Sequence, residues 1–413
     1  MGLTVPELIE LIIDHLSTDK PTLSTLSTVS SLFLPRSRFH LFRTIYLIIH
    51  TADPNSRNIA SAVRFFTATP HVCSSVRHVH IRAAQTMRME PEGRGEVGGG
   101  FWPIPQSGAD VQELSALLNV LSGPLSLDME GVYMSFNVPT IDVSALLPTV
   151  RIPSVRKLTF REVLIPPHAF TSMFNLTNIF TALEDLSLVN MLFDAAVVVA
   201  GIVDPPPWGG DLTISKLLLR HVSGLLGLLP SSAFRNVRSL DMPMLSLLIP
   251  DAARFLTPLY DTLEHLTLAV GQFGLNDIAR NAFDLGLCTR LRSLTFVQVG
   301  KHEDPDMASL FLLNVNACLR LAPPAISDVT VALLPYSELT IQVVLAHERW
   351  RATREILGGF EQLKEVRVVV MRDCERHPRE LGEREEYEML SAASRDSLAG
   401  VFGKEFNGKL RCA

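Results

Sequence analysis

Charge is scarce in this 413-residue chain: Asp, Glu, Lys and Arg make up 19% of it, against roughly 25% in an ordinary soluble domain. Basic residues fall short of acidic ones, 37 against 43, for a formal net charge of −6. That balance argues against a protein that coats nucleic acid or an anionic lipid surface electrostatically. Cysteine is scarce as well. Cys73, Cys288, Cys318, Cys374 and Cys412 are odd in number, scattered and without a C-x-x-C pair, which argues against a disulfide framework and fits a reducing compartment. Long apolar runs are missing despite a mean hydropathy of +0.24. The best, Met191 to Val203, is interrupted by Asp194 and closed by Asp204-Pro205-Pro206-Pro207, short of the ~18 residues a spanning helix needs. Glu7, Glu10 and Asp14, with no basic stretch ahead of the first apolar residues, do not make a secretory signal. The expectation is a soluble intracellular protein, cytoplasmic or nuclear, with neither nucleic acid nor membrane as partner.

Catalytic motifs are missing too. The glycines of Gly93 to Gly100 lack the Lys-Ser or Lys-Thr that completes a phosphate loop, and Phe101-Trp102-Pro103 cannot open a helix behind them. His347-Glu348 starts like a zinc-protease helix, but Arg351 stands where the second histidine belongs. No G-x-S-x-G elbow occurs. His71, Cys73, His78 and His80 come nearest to a metal set, yet no second ligand pair follows at zinc spacing. Asp304 and Asp306 lie in a charged turn with nothing to desolvate them. The expectation is no enzyme, no catalytic residue, no metal and no cofactor.

What the chain does have is a repeat. The pattern apolar-x-x-apolar-x-apolar starts at Val76, Val155, Leu183, Ile214, Val237, Leu263, Leu291, Ile326 and Leu363, with a weaker copy near Leu121 to Leu127. From 155 to 363 the steps are 28, 31, 23, 26, 28, 35 and 37 residues, within and somewhat beyond the period of a leucine-rich repeat. Helical stretches fill the gaps, at Asp251 to Tyr260, Asn276 to Leu287, Met307 to Leu321 and Ile341 to Leu357. Strand then helix, repeated, predicts an α/β solenoid with parallel strands on one side and helices on the other. Val163, Met191, Val222 and Leu245 replace the asparagine that usually follows the third leucine, so the repeats are degenerate and an asparagine ladder is not expected. The organisation reads as a helical unit over 1–47, a connector over 48–75, the solenoid over 76–371 with a long loop at 84–110, and a charged helical cap over 372–413.

The first 47 residues read as three short amphipathic helices, too small to bury much surface alone. Val5-Pro6-Glu7-Leu8, Ile12 and Leu16, then Leu23, Leu26, Val29, Ser30 and Phe33, follow the order and spacing of an F-box. The run Phe33-Leu34-Pro35-Arg36-Ser37-Arg38-Phe39-His40-Leu41-Phe42-Arg43 resembles the variant found in many fungal F-box proteins. Ser30 stands where that family often has cysteine, and Phe33 where it often has tryptophan. The resemblance implies docking on a Skp1-type adapter through Pro6, Leu8, Ile9, Ile12, Leu16, Leu23, Leu26, Val29 and Phe33. It also implies a role as the substrate-recognition adapter of a Skp1-cullin-F-box ubiquitin ligase, with the solenoid holding a protein target. The alternative is a non-enzymatic leucine-rich-repeat scaffold whose N-terminal helices only cap the solenoid.

Two sets of residues are candidates for the target. Trp102 and Trp208 lie in Gly/Pro-rich segments, and tryptophan is enriched at binding hot spots. In each strand the residues between the core positions point to the other face. Lys157, Arg161, Lys216 and Arg220 form a basic group there, with Asp185 between them. An acidic or phosphorylated segment is the expected ligand.

Overall fold

The computed structural model describes residues 5–49, 58–83, 108–121, 123, 125–130, 151–162, 164–165, 177, 179–193, 214–220, 222, 229, 234–244, 254–270, 284–299, 305–333, 348–370, 402 and 410–412. They fall into two compact units, residues 1–206 with 210–213, and residues 207–209 with 214–413. Trp102, Trp208, the loop from 84 and the tail helix expected from Glu383 lie outside the described residues.

The first unit opens with α1 (Val5–His15), α2 (Lys20–Val29) and α3 (Leu34–Phe42). Strand β1 (Thr44–Ile49), helices α4 (Ile59–Ala68) and α5 (Pro70–Cys73), and strand β2 (His78–Ala83) follow. Then come α6 (Gly108–Val120), β3 (Leu125–Glu130), β4 (Val155–Arg161), β5 (Leu164–Ile165), β6 (Asp185–Val189) and β7 (Leu192–Phe193). In the main sheet β1, β2, β3, β4 and β6 pair in sequence order, all parallel, while β5 pairs with β7. The second unit holds β8 (Lys216–Arg220), β9 (Ser239–Met244), β10 (His265–Val270), β11 (Ser293–Gln298), α7 (Pro305–Leu321), β12 (Asp328–Leu333), α8 (Arg349–Gly358), β13 (Glu365–Val370) and β14 (Leu410–Cys412). These seven strands also pair in sequence order and in parallel. Successive parallel strands laid beside one another, without the order reversal of a doubly wound sheet, are the pattern of stacked leucine-rich repeats.

The repeat motif accounts for the core directly. All nine copies are buried at each of their three apolar positions, from Val76, Val79 and Ile81 through Leu266 and Phe296 to Leu363, Val366 and Val368, none more than 3% exposed. The second and third positions share one face of the strand, and the first leads the chain into it. At the entry to the strands, backbone bonds link successive repeats: Glu264 N–H donates to Arg238 C=O, Arg292 N–H to Glu264 C=O, and Lys364 N–H to Ser327 C=O. Ionic pairs run along the same edge, Arg156 with Glu184 and Glu264 with both Arg238 and Arg290.

The structure corrects several boundaries. The connector read over 48–75 contains α4 and α5, and β1 begins inside the region read as purely helical. The tail contributes a strand, β14, beside β13. The helices expected before Tyr260 and Leu287 end as 3₁₀ turns at Thr257–Leu259 and Leu285–Leu287. The first carries Pro258 in its opening positions, where a missing N–H breaks no intrahelical bond. Polar side chains of α7 and α8 pair with one another. Thr353 Oγ1 donates to Asn316 Oδ1 at 2.7 Å, and Arg349 Nε donates to Ser309 Oγ at 2.7 Å.

Candidate interaction surfaces

The N-terminal helices are shaped by their caps. In α1, Glu7 lies in the first turn and His15 in the last, the signs that suit the helix dipole. In α2, Asp19 accepts from Thr22 N–H at 3.1 Å and Pro21 sits in the opening turn. Those bonds, led by the Thr22 hydroxyl, lower the Asp19 pKa. Ser30 turns extended and ends the helix. One carboxylate ties α1 to α3. Asp14 accepts from Arg36 Nε and Nη2, both at 2.6 Å, and stands 2.7 Å from His40 Nε2. The Arg36 hydrogen bonds, against a small opposing desolvation and with help from His40, hold the Asp14 carboxyl at about 2, below its ordinary 3.8. Lys20 Nζ donates to His40 C=O at 2.6 Å, drawing α2 onto α3.

Polar groups join α1 to α3, while apolar ones face outward. Leu8, Leu11, Ile12, Val29 and Leu32 are 43–65% exposed. Of the expected docking residues, Pro6, Leu8, Ile12 and Val29 are exposed, and Ile9, Leu16, Leu26 and Phe33 are half-buried. Leu23 is fully buried and packs the helices instead of presenting a surface. Leu11 and Leu32 were not among the expected residues. The signal for Leu11 was an excess: Leu8, Ile9, Leu11, Ile12, Ile13 and Leu16 are more than one core-facing stripe can use. Ile13 takes the interior and its neighbours are left outside.

The second surface is the open face of the first unit's sheet. Tyr46, His80, Asp128 and Thr159 stand in one row across β1 to β4, with Ile48, Arg82, Glu130 and Arg161 in the next. Glu130 is held between His80 Nε2 at 2.9 Å and Arg82 Nε at 3.7 Å. The Tyr46 ring lies 5.4 Å from that of His80. Burial, then the nearby Arg43 charge, lowers the pKa of His78 one row below. The face closes toward β6, where Thr159 and Ser187 are 5% exposed. In the second unit the same row is also withdrawn from solvent at Asp241, Thr267 and Thr295. The middle row of these strands, rich in Ser and Thr, is therefore largely interior, and the longer residues beside it are the ones in reach.

The expected basic residues divide between the units. Lys157 and Arg161 are half-buried on β4 in the first. In the second, Lys216 is exposed at the start of β8, and Arg220 at its end lies 3.8 Å from Asp241 in a mostly buried ion pair. Arg220 thus has a partner within its own unit, which sequence spacing could not reveal. Among the described residues no group of three His, Cys, Asp or Glu is placed to hold a metal ion, and no helix is long and apolar enough to cross a membrane.

No protein-family model matches the chain, and a search of curated proteins finds no match. Among solved structures, the leucine-rich repeat-containing protein LegL7 from Legionella pneumophila is similar at 13% identity and a TM-score of 0.42, over 87% of this chain and 98% of that one.

Proposed function

We propose that the chain is a non-enzymatic interaction adapter whose N-terminal helices dock a Skp1-type subunit of a cullin-based ubiquitin ligase and whose repeats hold a protein target. The observation that carries this reading is the exposure of five large apolar side chains in the N-terminal helical unit, Leu8, Leu11, Ile12, Val29 and Leu32. A helical unit that only terminates a repeat array presents a polar outer face. This one pairs Asp14 with Arg36 and His40 in a partly exposed cluster and leaves leucine-sized side chains in water. Burying each is worth about 1.5–3 kcal/mol, so a handful of them covers a protein-protein contact. The adapter then acts by proximity, raising the effective concentration of target lysines near the ubiquitin carrier. A cytoplasmic or nuclear location goes with that role.

Co-expression with Skp1 tests the reading. The wild-type chain should co-purify, and Leu8→Ala/Ile12→Ala should lower recovery by ten-fold or more while circular dichroism stays unchanged. Both side chains are exposed, so the substitution leaves the interior intact. Undiminished recovery by the folded double variant would move the function to the scaffold reading.

On the target side, the described cations on the open face of the first unit's sheet include Arg82, Lys157 and Arg161. Lys157→Glu/Arg161→Glu should lose an acidic target and retain Skp1. Arg220→Glu is a poorer probe, because it would set two carboxylates together beside Asp241.

A further inference from the structure

Strand β1 ends the first unit's sheet, and among the described residues no strand lies beyond it. Its sequence, Thr44-Ile45-Tyr46-Leu47-Ile48-Ile49, holds no charge, no proline and no glycine. Every other strand of that sheet carries a charged residue: Arg82 on β2, Glu130 on β3, Arg161 on β4 and Asp185 on β6. Sheet edges in monomers are ordinarily blunted by lysine, proline or a bulge. This edge has none of them, and β1 runs in unbroken register along β2.

The direction of the hydrogen-bonding groups that β2 does not use follows from the ladder. His78 pairs with Thr44, and His78 N–H donates to Arg43 C=O at 2.9 Å. In a parallel pair each residue bonds to the two neighbours of its partner. The bonds to β2 therefore use N–H of Ile45, Leu47 and Ile49, and the N–H and C=O groups of Thr44, Tyr46 and Ile48 turn outward. Those are also the residues on the open face, where Tyr46 is 57% and Ile48 37% exposed. Among the described residues no strand pairs with these outward groups.

We infer that β1 is a self-association edge, and that its occupant is β1 of a second copy of this chain, paired antiparallel about a two-fold axis through Tyr46. In that register Tyr46 faces the partner's Tyr46, and Thr44 faces the partner's Ile48. These three pairs stand at alternate positions, so all fall on the hydrogen-bonded sites of an antiparallel ladder, where opposed residues exchange two bonds. No outward group of Thr44, Tyr46 or Ile48 is left over. The absence of charge selects the same occupant, because like charges directly opposed across a two-fold axis destabilise a symmetric pair. The two sheets become one, and the ring of Tyr46 meets its counterpart on the open face. The inference rests on β1 alone and is independent of the helical docking surface.

Sedimentation velocity on the full chain at concentrations on the order of 10–100 µM should show a concentration-dependent species of twice the 45.6 kDa chain mass. Tyr46→Lys, which opposes two cations at the axis, should weaken the dimer at least ten-fold with an unchanged melting temperature and unchanged Skp1 recovery. Tyr46→Cys should cross-link to its partner on mild oxidation, since opposed residues of a hydrogen-bonded pair lie ~5.5 Å apart at Cα, inside disulfide range. Thr44→Cys alone should not cross-link, whereas Thr44→Cys/Ile48→Cys should. A wild-type chain monomeric across that range overturns the inference. So does a dimer that survives Tyr46→Lys, or cross-linking by Thr44→Cys alone. Loss of Skp1 recovery with the dimer intact would instead fault the docking reading and leave this one standing.

Discussion

Asp14 shows how much one side chain can do when three helices are too short to hold themselves. Its two oxygens take the whole fork of Arg36 and reach His40 as well. Because its folded pKa is lowered to about 2 from 3.8, its contribution is fully present above the ordinary carboxylate value and is lost as pH falls toward 2. The pair is partly exposed, so solvent screening keeps that contribution modest. Thermal melts at pH 7, 4 and 2 should show Asp14→Asn losing stability relative to wild type at pH 7, with the gap closing by pH 2. The buried thiols behave in the opposite sense. Burial, helped by the Asp284 charge, pushes Cys288 up to about 12, and burial alone does the same for Cys318. Both should resist a thiol reagent at pH 8 in the native protein and react once denaturant is added, since the thiolate is the reactive form.

At the scale of elements, α7 and α8 pack through a polar seam inside an apolar layer. Thr353 is fully buried and donates to Asn316 Oδ1, while Asn316 Nδ2 donates to Arg349 C=O at 3.3 Å. Thr353→Val keeps the shape but strands the Asn316 oxygen, a loss of about 1–3 kcal/mol. Thr353→Ser, which keeps the hydroxyl, should recover most of it in the same urea titration. Trp350 beside it is fully buried, with its ring 5.8 Å from that of Phe402. That contact ties a residue near the C-terminus to the last helix of the repeats. Tryptophan fluorescence should therefore report Phe402→Ala as a red shift, because water reaches the indole once the neighbouring ring is gone.

At the scale of the molecule, each unit is a row of parallel strands whose neighbours in space are neighbours in sequence. Stability in such arrays is nearly a sum of repeat and interface contributions, so an interior strand has two interfaces to lose and an end strand one. Phe296→Ala on β11, which is paired on both sides, should cost about 3–5 kcal/mol. A nearly as buried position on an end strand should cost less: in the monomer Leu47→Ala on β1 strips one strand interface only. Urea titration of the two variants checks the order.

The sequence by itself determined the repeats. Nine copies of one short apolar pattern predicted nine strands; alternation puts the second and third positions of each copy on the core face, and the first is buried where the chain enters the strand. It also determined three helices at the N-terminus, through Pro6, Asp19-Lys20-Pro21 and Pro35, whose backbone limits start or stop a helix wherever they stand. Tertiary structure decided which apolar residues were left over. Ile12 and Ile13 are adjacent and chemically the same, yet one is 58% exposed and the other 2%, a difference set by where α3 lies against α1. It decided likewise that Arg220 would meet Asp241 from the next strand, and that β1, hidden between a helical region and a connector, would become an open sheet edge. Such facts depend on partners distant in sequence, and spacing along one chain carries no record of them.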